Sequence, residues 1–336
     1  MRLKTIFNRP KESSLPLFDE AFLRRLERLS FRTIPALRGS PLGERRSRNL
    51  RPALDFSDHR PYSHGDDLRH VDWNAYGRHE ELFVKLGEAS QSVNIHILLD
   101  CSRSMGWTPS GKAARQPAGY SKWDAARRLA GALGYLGLSG GERVEITPFG
   151  HTLAEGFGPT EGKRRVVPIL KFLSKTIPLP PAKGETGGGL VASLNSYART
   201  HPGGGLLILI SDLLDTITPA AVSSPHEGQA GEGLAESLRY LVPPRWQVLV
   251  VHLLTEEEVQ PTLSGDYDLR DSETEESLPF HLSDAVLTQY RLRVRTWCAE
   301  LQSACGQRGA TYARVLAEWP LEQAVVPYLR QRGVVL

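Results

Sequence analysis

Three apolar runs constrain this chain more than any other feature. VNIHILL (93–99), GGLLILISDLL (204–214) and RWQVLVVHLL (245–254) carry apolar residues at consecutive rather than alternate positions. A strand with one wet face alternates, whereas a strand buried on both faces need not, and such strands belong to parallel sheets covered by helices. Helical patterns separate them: KWDAARRLAGALGYLGL (122–138), KRRVVPILKFLSK (163–175, despite Pro168), GGLVASLNSYART (188–200), GLAESLRYL (233–241) and a long segment from Ser283 to Gly309. RVEITPF (143–149) and ATYARVL (310–316) read as further strands, and PLEQAVVPYLRQRG (320–333) as a last helix. The alternation predicts an α/β fold with a doubly wound, mostly parallel sheet and right-handed crossovers, Val93–Leu99 lying centrally beside Leu206–Ser211.

The chain ahead of this pattern has a different texture. Asp19 to Phe31 has apolar residues at helical spacing, and a Pro/Gly/Arg-rich linker follows. A turn-rich polar stretch comes next, whose only clear strand is ELFVKL (81–86), expected at a sheet edge. The resulting division is 1–49 as helix and basic linker, 50–90 as an N-terminal cap segment, and 91–336 as the α/β domain. The acidic stretch 255–282 reads as an inserted hairpin with loops.

Composition excludes several classes. A net charge of +3 does not by itself argue for nucleic acid, although the first part of the chain is arginine-rich. Three cysteines, Cys101, Cys298 and Cys305, show no close-spaced zinc pattern and fit reduced thiols in a cytoplasm. His59, His64, His70 and His79 lack a compact ligand spacing. No signal-peptide core or membrane-length apolar run is legible, so a soluble, cytoplasmic protein is expected.

In a doubly wound sheet, ligands bind beyond the carboxyl ends of the strands, where strand order reverses. Asp100 ends the first buried run and Ser211-Asp212 ends the second. HILLDCSRSM (96–105) therefore poses a question, because a buried strand delivers one carboxylate and two hydroxyls at its end. A nucleophile elbow needs G-x-S-x-G, which flanks neither Ser102 nor Ser104. Phosphate-loop and dinucleotide glycine motifs are absent. An aspartyl phosphatase would want a second aspartate where Ser102 stands. Simple helix capping accounts for Ser and Asp here, but not for a matching aspartate at the end of another core strand. A divalent cation uses them all: Asp100, Ser102 and Ser104 from one curling segment, Asp212 from the next strand, and Thr186 from the glycine-rich loop KGETGGGL. Hard oxygens in this number suit Mg²⁺, with Mn²⁺ as the alternative. Two carboxylates with three neutral hydroxyls leave the ion under-neutralised, so a further anionic oxygen is expected from outside.

DCSRS, the GET loop and ISD together resemble the metal-ion-dependent adhesion site of von Willebrand factor A domains. That resemblance implies Mg²⁺ held by the D-x-S-x-S hydroxyls and the loop threonine, with a partner supplying a carboxylate. Arg60 to Lys85, RPYSHGDDLRHVDWNAYGRHEELFVK, followed by ILLDCSRSM, resembles the domain-of-unknown-function-58 (DUF58) family from about Leu50 onward. Many relatives carry membrane helices ahead of this signature, and none is legible here. The family resemblance implies an adaptor or assembly role beside AAA+ ATPases of the MoxR type, and no firm enzymatic activity. The function expected is Mg²⁺-dependent capture of an acidic side chain on a protein partner. The competing class is a metal-dependent hydrolase of phosphates, for which His151 and Lys183 are candidate bases outside any recognisable motif.

Within the signature, Trp73 and Tyr76 suggest packing on a sheet, and Asp67–Arg69 or Asp72–Arg78 pairing suggests a structural cap, against a partner-binding role or second metal site. The loop 106–120, basic through Lys112 and Arg115, is expected beside the metal, where positive charge would draw an acidic partner.

Overall fold

The computed structural model describes residues 18, 20–33, 37, 56–63, 71–79, 81–87, 92–107, 121–178, 189–216, 229–261, 265–270 and 277–336. Thr186, Lys183, Lys112 and Arg115 lie outside them, as do Asp67 and Arg69. The chain divides into two compact units, Met1–Leu37 with Val93–Leu336, and Arg38–Ser92. Helix α1 (Glu20–Leu26) belongs to the larger unit. It is shorter than the sequence pattern suggested, because Phe31 leaves the helix to form an antiparallel bridge with Val335.

The smaller unit holds strand β1 (Phe56–Pro61), helix α2 (Trp73–His79) and strand β2 (Phe83–Gly87). β1 and β2 pair antiparallel, and Val71 bridges Val84. Two of these elements are absent from the sequence reading. FSDHRP carries no alternating apolar pattern, and its extended form is seen in the ladder it makes with β2. WNAYGRH is too short to show helical periodicity; Asp72 starts it by accepting a hydrogen bond from the Ala75 N–H. Trp73 and Tyr76 do not pack on a sheet as expected. They are 58% and 44% exposed and meet each other edge to face, ring centroids 6.3 Å apart.

The larger unit continues with β3 (Asn94–Asp100), α3 (Lys122–Ser139), β4 (Arg143–Phe149), β5 (Phe157–Glu161), α4 (Val166–Lys175), α5 (Gly189–Thr200) and β6 (Gly205–Ser211). It then runs through α6 (Gln229–Ser237), β7 (Trp246–Leu254), the single turn α7 (Glu256–Val259), the hairpin β8 (Gly265–Arg270) and β9 (Ser277–Leu282), α8 (Asp284–Gln307), β10 (Thr311–Leu316) and α9 (Val326–Gln331). Six strands form one sheet in the order β10-β7-β6-β3-β4-β5. All neighbours are parallel except β5, an antiparallel edge strand that the sequence did not signal. β3 sits between β4 and β6, as expected, and the chain winds outward from it in both directions. The switch point therefore lies between β3 and β6.

The two apolar faces of the sheet seed two cores. Ile95, Ile97, Leu99, Leu206, Ile208, Ile210, Leu249 and Val251 point to the side covered by α1, α3 and α4. Leu98, Leu207, Leu209, Val248 and Val250 point to the side covered by α5, α6 and α8. Each fully buried Val, Leu or Ile contributes about 1.5–3 kcal/mol relative to exposure. Local chemistry sets the helix ends. The Ser283 hydroxyl accepts from the Val286 N–H at the start of α8, and Gly309 beyond its end takes φ +70°. Pro168 is tolerated because it falls in the first turn of α4, where the N–H has no intrahelical acceptor.

The α3 glycines show how tightly that helix lies on the sheet. A Cβ at Gly137 would meet Val144 Cγ2 at 2.7 Å and Ile95 Cδ1 at 2.8 Å, whereas one at Gly134 would find its nearest neighbours at 3.7–3.8 Å. Gly137→Ala is expected to destabilise the protein by about 1–3 kcal/mol through overpacking. Gly134→Ala should leave stability unchanged or raise it by up to about 1 kcal/mol through helix propensity. Urea denaturation of the two variants checks the contrast, and equal effects would contradict it.

Candidate metal centre at the strand ends

The segment after β3 folds back through a short 3₁₀ turn, Arg103–Gly106, pinned by the fully buried side chain of Met105. That anchor holds the intervening serines at the rim. Asp100 ends β3, and because Leu99 is in register with Ile210, it lies beside Ser211 at the end of β6. One Asp100 oxygen accepts the Ser102 N–H at 2.8 Å, and the other accepts the Ser211 hydroxyl. The Ser102 and Ser104 hydroxyls lie 2.9 Å apart. Asp212 follows directly, 1% exposed. Four of the five residues read from the sequence, Asp100, Ser102, Ser104 and Asp212, thus share one end of the sheet. Thr186 falls outside the described residues.

The backbone beyond Asp212 is unusual. Leu213 is buried with φ +56°, a left-handed conformation that costs a bulky residue about 1–3 kcal/mol. It is held there because its N–H donates to the Ser211 hydroxyl, and the Leu214 N–H donates to Asp212 Oδ1. The turn aims Asp212 Oδ2 back toward the sheet.

Lys122, Glu258 and Asp215 also belong to this rim, and sequence reasoning missed them. Lys122 begins α3 and is fully buried, its ammonium 2.8 Å from Asp212 Oδ2 and 2.7 Å from Glu258 Oε1. Burial opposes the charge, yet the two carboxylates outweigh it and hold the lysine pKa above its usual value. Glu258 is fixed in turn by a capping box with Thr255 at the start of α7. Asp215 accepts a hydrogen bond from the Leu190 N–H, in the first turn of α5. A Cβ at Gly189 would meet its carboxylate at 2.4 Å, so the glycine permits this approach. The lysine was hidden because it reads as one more charge in an amphipathic helix.

Four carboxylates, Asp100, Asp212, Asp215 and Glu258, thus share this rim with the Lys122 ammonium. Burial first and the Asp212 charge second push Asp100 up to about 7, and the same two causes raise Asp215. His151, just past the end of β4, offsets part of the Asp215 shift. The arrangement attracts positive charge and presents clustered oxygens to receive it.

An α/β fold with a polar, oxygen-lined site at the switch point of its sheet is the class these observations define. The family model described as "Protein of unknown function DUF58" matches residues 58–298. The chain belongs to the DUF58 family. Uncharacterized proteins of Mycobacterium bovis and Mycobacterium tuberculosis are 25% identical to it over 228 residues, 66% of this chain. The chain spans 62% of the length of these curated relatives. Among solved structures, the conserved hypothetical protein BatB from Bacteroides thetaiotaomicron is similar with a TM-score of 0.39 and 17% identity, covering 72% of this chain and 99% of that one. An aerotolerance-related membrane protein from Bacteroides fragilis gives 0.38 and 19%, covering 72% and 98%. Among the described residues, no helix is long and apolar enough to cross a membrane.

The Lys122 pairing yields a stability expectation. Removing one partner of a buried ion pair leaves charge uncompensated, at a cost of about 3–5 kcal/mol. Lys122→Met should show that loss in urea denaturation at neutral pH with EDTA present. Adding Asp212→Asn and Glu258→Gln should recover much of it, and no recovery would mean the lysine acts through packing alone.

Proposed function

We propose that this protein is a von Willebrand factor A-like binding module whose strand-end rim holds Mg²⁺ and captures an acidic side chain of a protein partner. The observation that carries the reading is the cluster of Asp100, Ser102 and Ser104 oxygens. Adjacent ligands around Mg²⁺, at about 2.1 Å each, lie about 3.0 Å apart, and the two serine hydroxyls stand at 2.9 Å. Mn²⁺ satisfies the same donor set.

Each oxygen of Asp100 and of Asp212 already accepts one hydrogen bond and keeps a further lone pair. Asp100, Ser102, Ser104 and Asp212 are the ion's ligands in this reading, with Thr186 completing the set. The bound ion would supply an electrophilic point that prefers a carboxylate oxygen over water. The family resemblance names the partner class as a MoxR-type AAA+ ATPase or its client, met in the cytoplasm, and the basic loop carrying Lys112 and Arg115 would speed that encounter.

A phosphate hydrolase is the second reading, favoured by His151, which stands electrostatically within reach of Asp215 at the same rim. Phosphatase turnover with Mg²⁺ or Mn²⁺ that is abolished by Asp100→Ala would establish it.

Calorimetry should detect divalent binding that Ser102→Ala and Ser104→Ala weaken without loss of fold, and that Asp212→Ala weakens at least as much. Pull-downs from native lysate should recover an ATPase with Mg²⁺ and lose it with EDTA or Asp100→Ala. Identical recovery under all three conditions would overturn the proposal.

A further inference from the structure

A second group of ligating side chains lies away from the rim. Among the described residues, His96, Glu145 and His201 bring one ligand atom each to within 4.8 Å of one another. His96 is the third residue of β3 and Asp100 the last, so at about 3.3 Å per residue their Cα atoms stand about 13 Å apart along the strand. Glu145 is the in-register partner of His96 on β4, and His201 follows the last residue of α5. The cluster therefore belongs to the face beneath α5, not to the strand ends.

The outer nitrogens of both rings are fixed by backbone carbonyls. His201 Nδ1 lies 3.0 Å from the Tyr197 carbonyl oxygen. It also lies 3.0 Å from the Thr200 hydroxyl oxygen, whose own proton goes to the Ser196 and Tyr197 carbonyls. A carbonyl only accepts, so Nδ1 carries a proton, and in the neutral ring Nε2 keeps its lone pair. His96 Nε2 lies 3.3 Å from the Gly204 carbonyl oxygen, which puts the proton there and the lone pair on Nδ1, where the Tyr197 hydroxyl approaches at 2.9 Å. The Glu145 carboxylate faces both of these nitrogens, His201 Nε2 at 3.3 Å and His96 Nδ1 at 3.6 Å, the latter shared with the Tyr197 hydroxyl.

Two ring nitrogens turned toward a partly buried carboxylate call for positive charge among them, supplied either by a ring proton or by a metal ion. Ligands held about 2.0–2.1 Å from a tetrahedral Zn²⁺ lie about 3.4 Å apart; the two histidine–carboxylate distances, 3.3 and 3.6 Å, are close to this, and all three ligand atoms lie within 4.8 Å of one another. Ring N–H groups tied to carbonyls on the far side are the usual support for metal-bound histidines. Tyr197 stacks on His201 with centroids 4.0 Å apart, and Trp246 lies 5.0 Å from His96, so the surroundings are rigid and aromatic. Side-chain exposures of 26% for His201 and 15% for Glu145 leave a way in for an ion and a water.

We propose that His96 Nδ1, His201 Nε2 and the Glu145 carboxylate form a binding site for Zn²⁺ or a similar late first-row divalent ion, with a fourth position open to water. Two imidazoles with one carboxylate select such an ion over Mg²⁺, which prefers oxygen ligands throughout. The site is therefore chemically separate from the oxygen-lined rim.

Zinc titration against a chromophoric chelator tests this on the full chain stripped of metal. Wild type should take up one zinc that His201→Gln and Glu145→Gln each weaken at least about tenfold, as expected when a metal shell is disturbed. Asp100→Ala should retain it, which separates this site from the rim. Cobalt substitution of wild type should add visible absorption bands of a low-symmetry nitrogen–oxygen site, a readout independent of whether the variants fold well. Equal zinc uptake by all the variants, or none by wild type, would overturn the proposal. A protein whose thermal stability responds to pH through these residues but not to added zinc would also overturn it, because a proton on His201 would then be the missing positive charge.

Discussion

Burial of the central strands on both faces is the constraint from which the rest of the structure follows. β3, β6 and β7 lie between two helical layers, so a side chain on either face must be apolar or have its polar atoms matched. His252 is a buried polar side chain that meets this constraint at one ring nitrogen. It is fully buried on β7, its pKa pushed down to about 3 by burial, and its Nδ1 lies 2.6 Å from the Tyr312 hydroxyl. Polar chemistry is thereby driven to the strand ends, where chain direction changes and water can enter. Parallel alignment then places several strand ends of the same polarity side by side, and the switch between β3 and β6 opens the space between two of them.

Lys122 organises that rim. It starts the helix lying over β3 and β4, yet its ammonium ties to Asp212 after β6 and to Glu258 after β7. One buried cation thus links the ends of two strands to a helix of the opposite layer. It sets a cation against the Asp212 carboxylate, which has almost no solvent contact, while Asp100, which has only hydrogen-bond donors to help it, is pushed toward protonation. The left-handed Leu213 is held in the same small region by the Ser211 and Asp212 side chains. The local conformational cost is offset by hydrogen bonds that fix where the carboxylate points.

The same sheet offers two kinds of ligand chemistry because its polar groups survive burial by two routes. At the rim, backbone N–H groups and hydroxyls satisfy carboxylates, which leaves a hard oxygen surface. Under α5, backbone carbonyls satisfy the outer nitrogens of His96 and His201, which leaves the softer inner ring nitrogens turned toward Glu145. The difference arises from which backbone groups are spare. Turns at strand ends expose N–H groups, whereas the C-terminal end of a helix exposes carbonyls, and His201 sits at such an end.

Sequence by itself determined the sheet and half of its chemistry. VNIHILL, GGLLILISDLL and RWQVLVVHLL can be stable only where both faces are covered, and that fixes an α/β fold with β3 central. Asp100, Ser102, Ser104 and Asp212 are legible because they interrupt those runs at the places where a chain must leave the sheet. Other elements were not legible: β1, β5 and α2 lack apolar periodicity, and only the tertiary structure decided them. The same holds for Lys122 with Glu258, 136 residues apart, and for His96 with His201, which are separated by 105 positions in sequence. A lysine in an amphipathic helix or a histidine in an apolar strand looks ordinary in one dimension. What it neutralises or faces depends on which strand ends and helix ends packing brings together, and local sequence does not encode those distances.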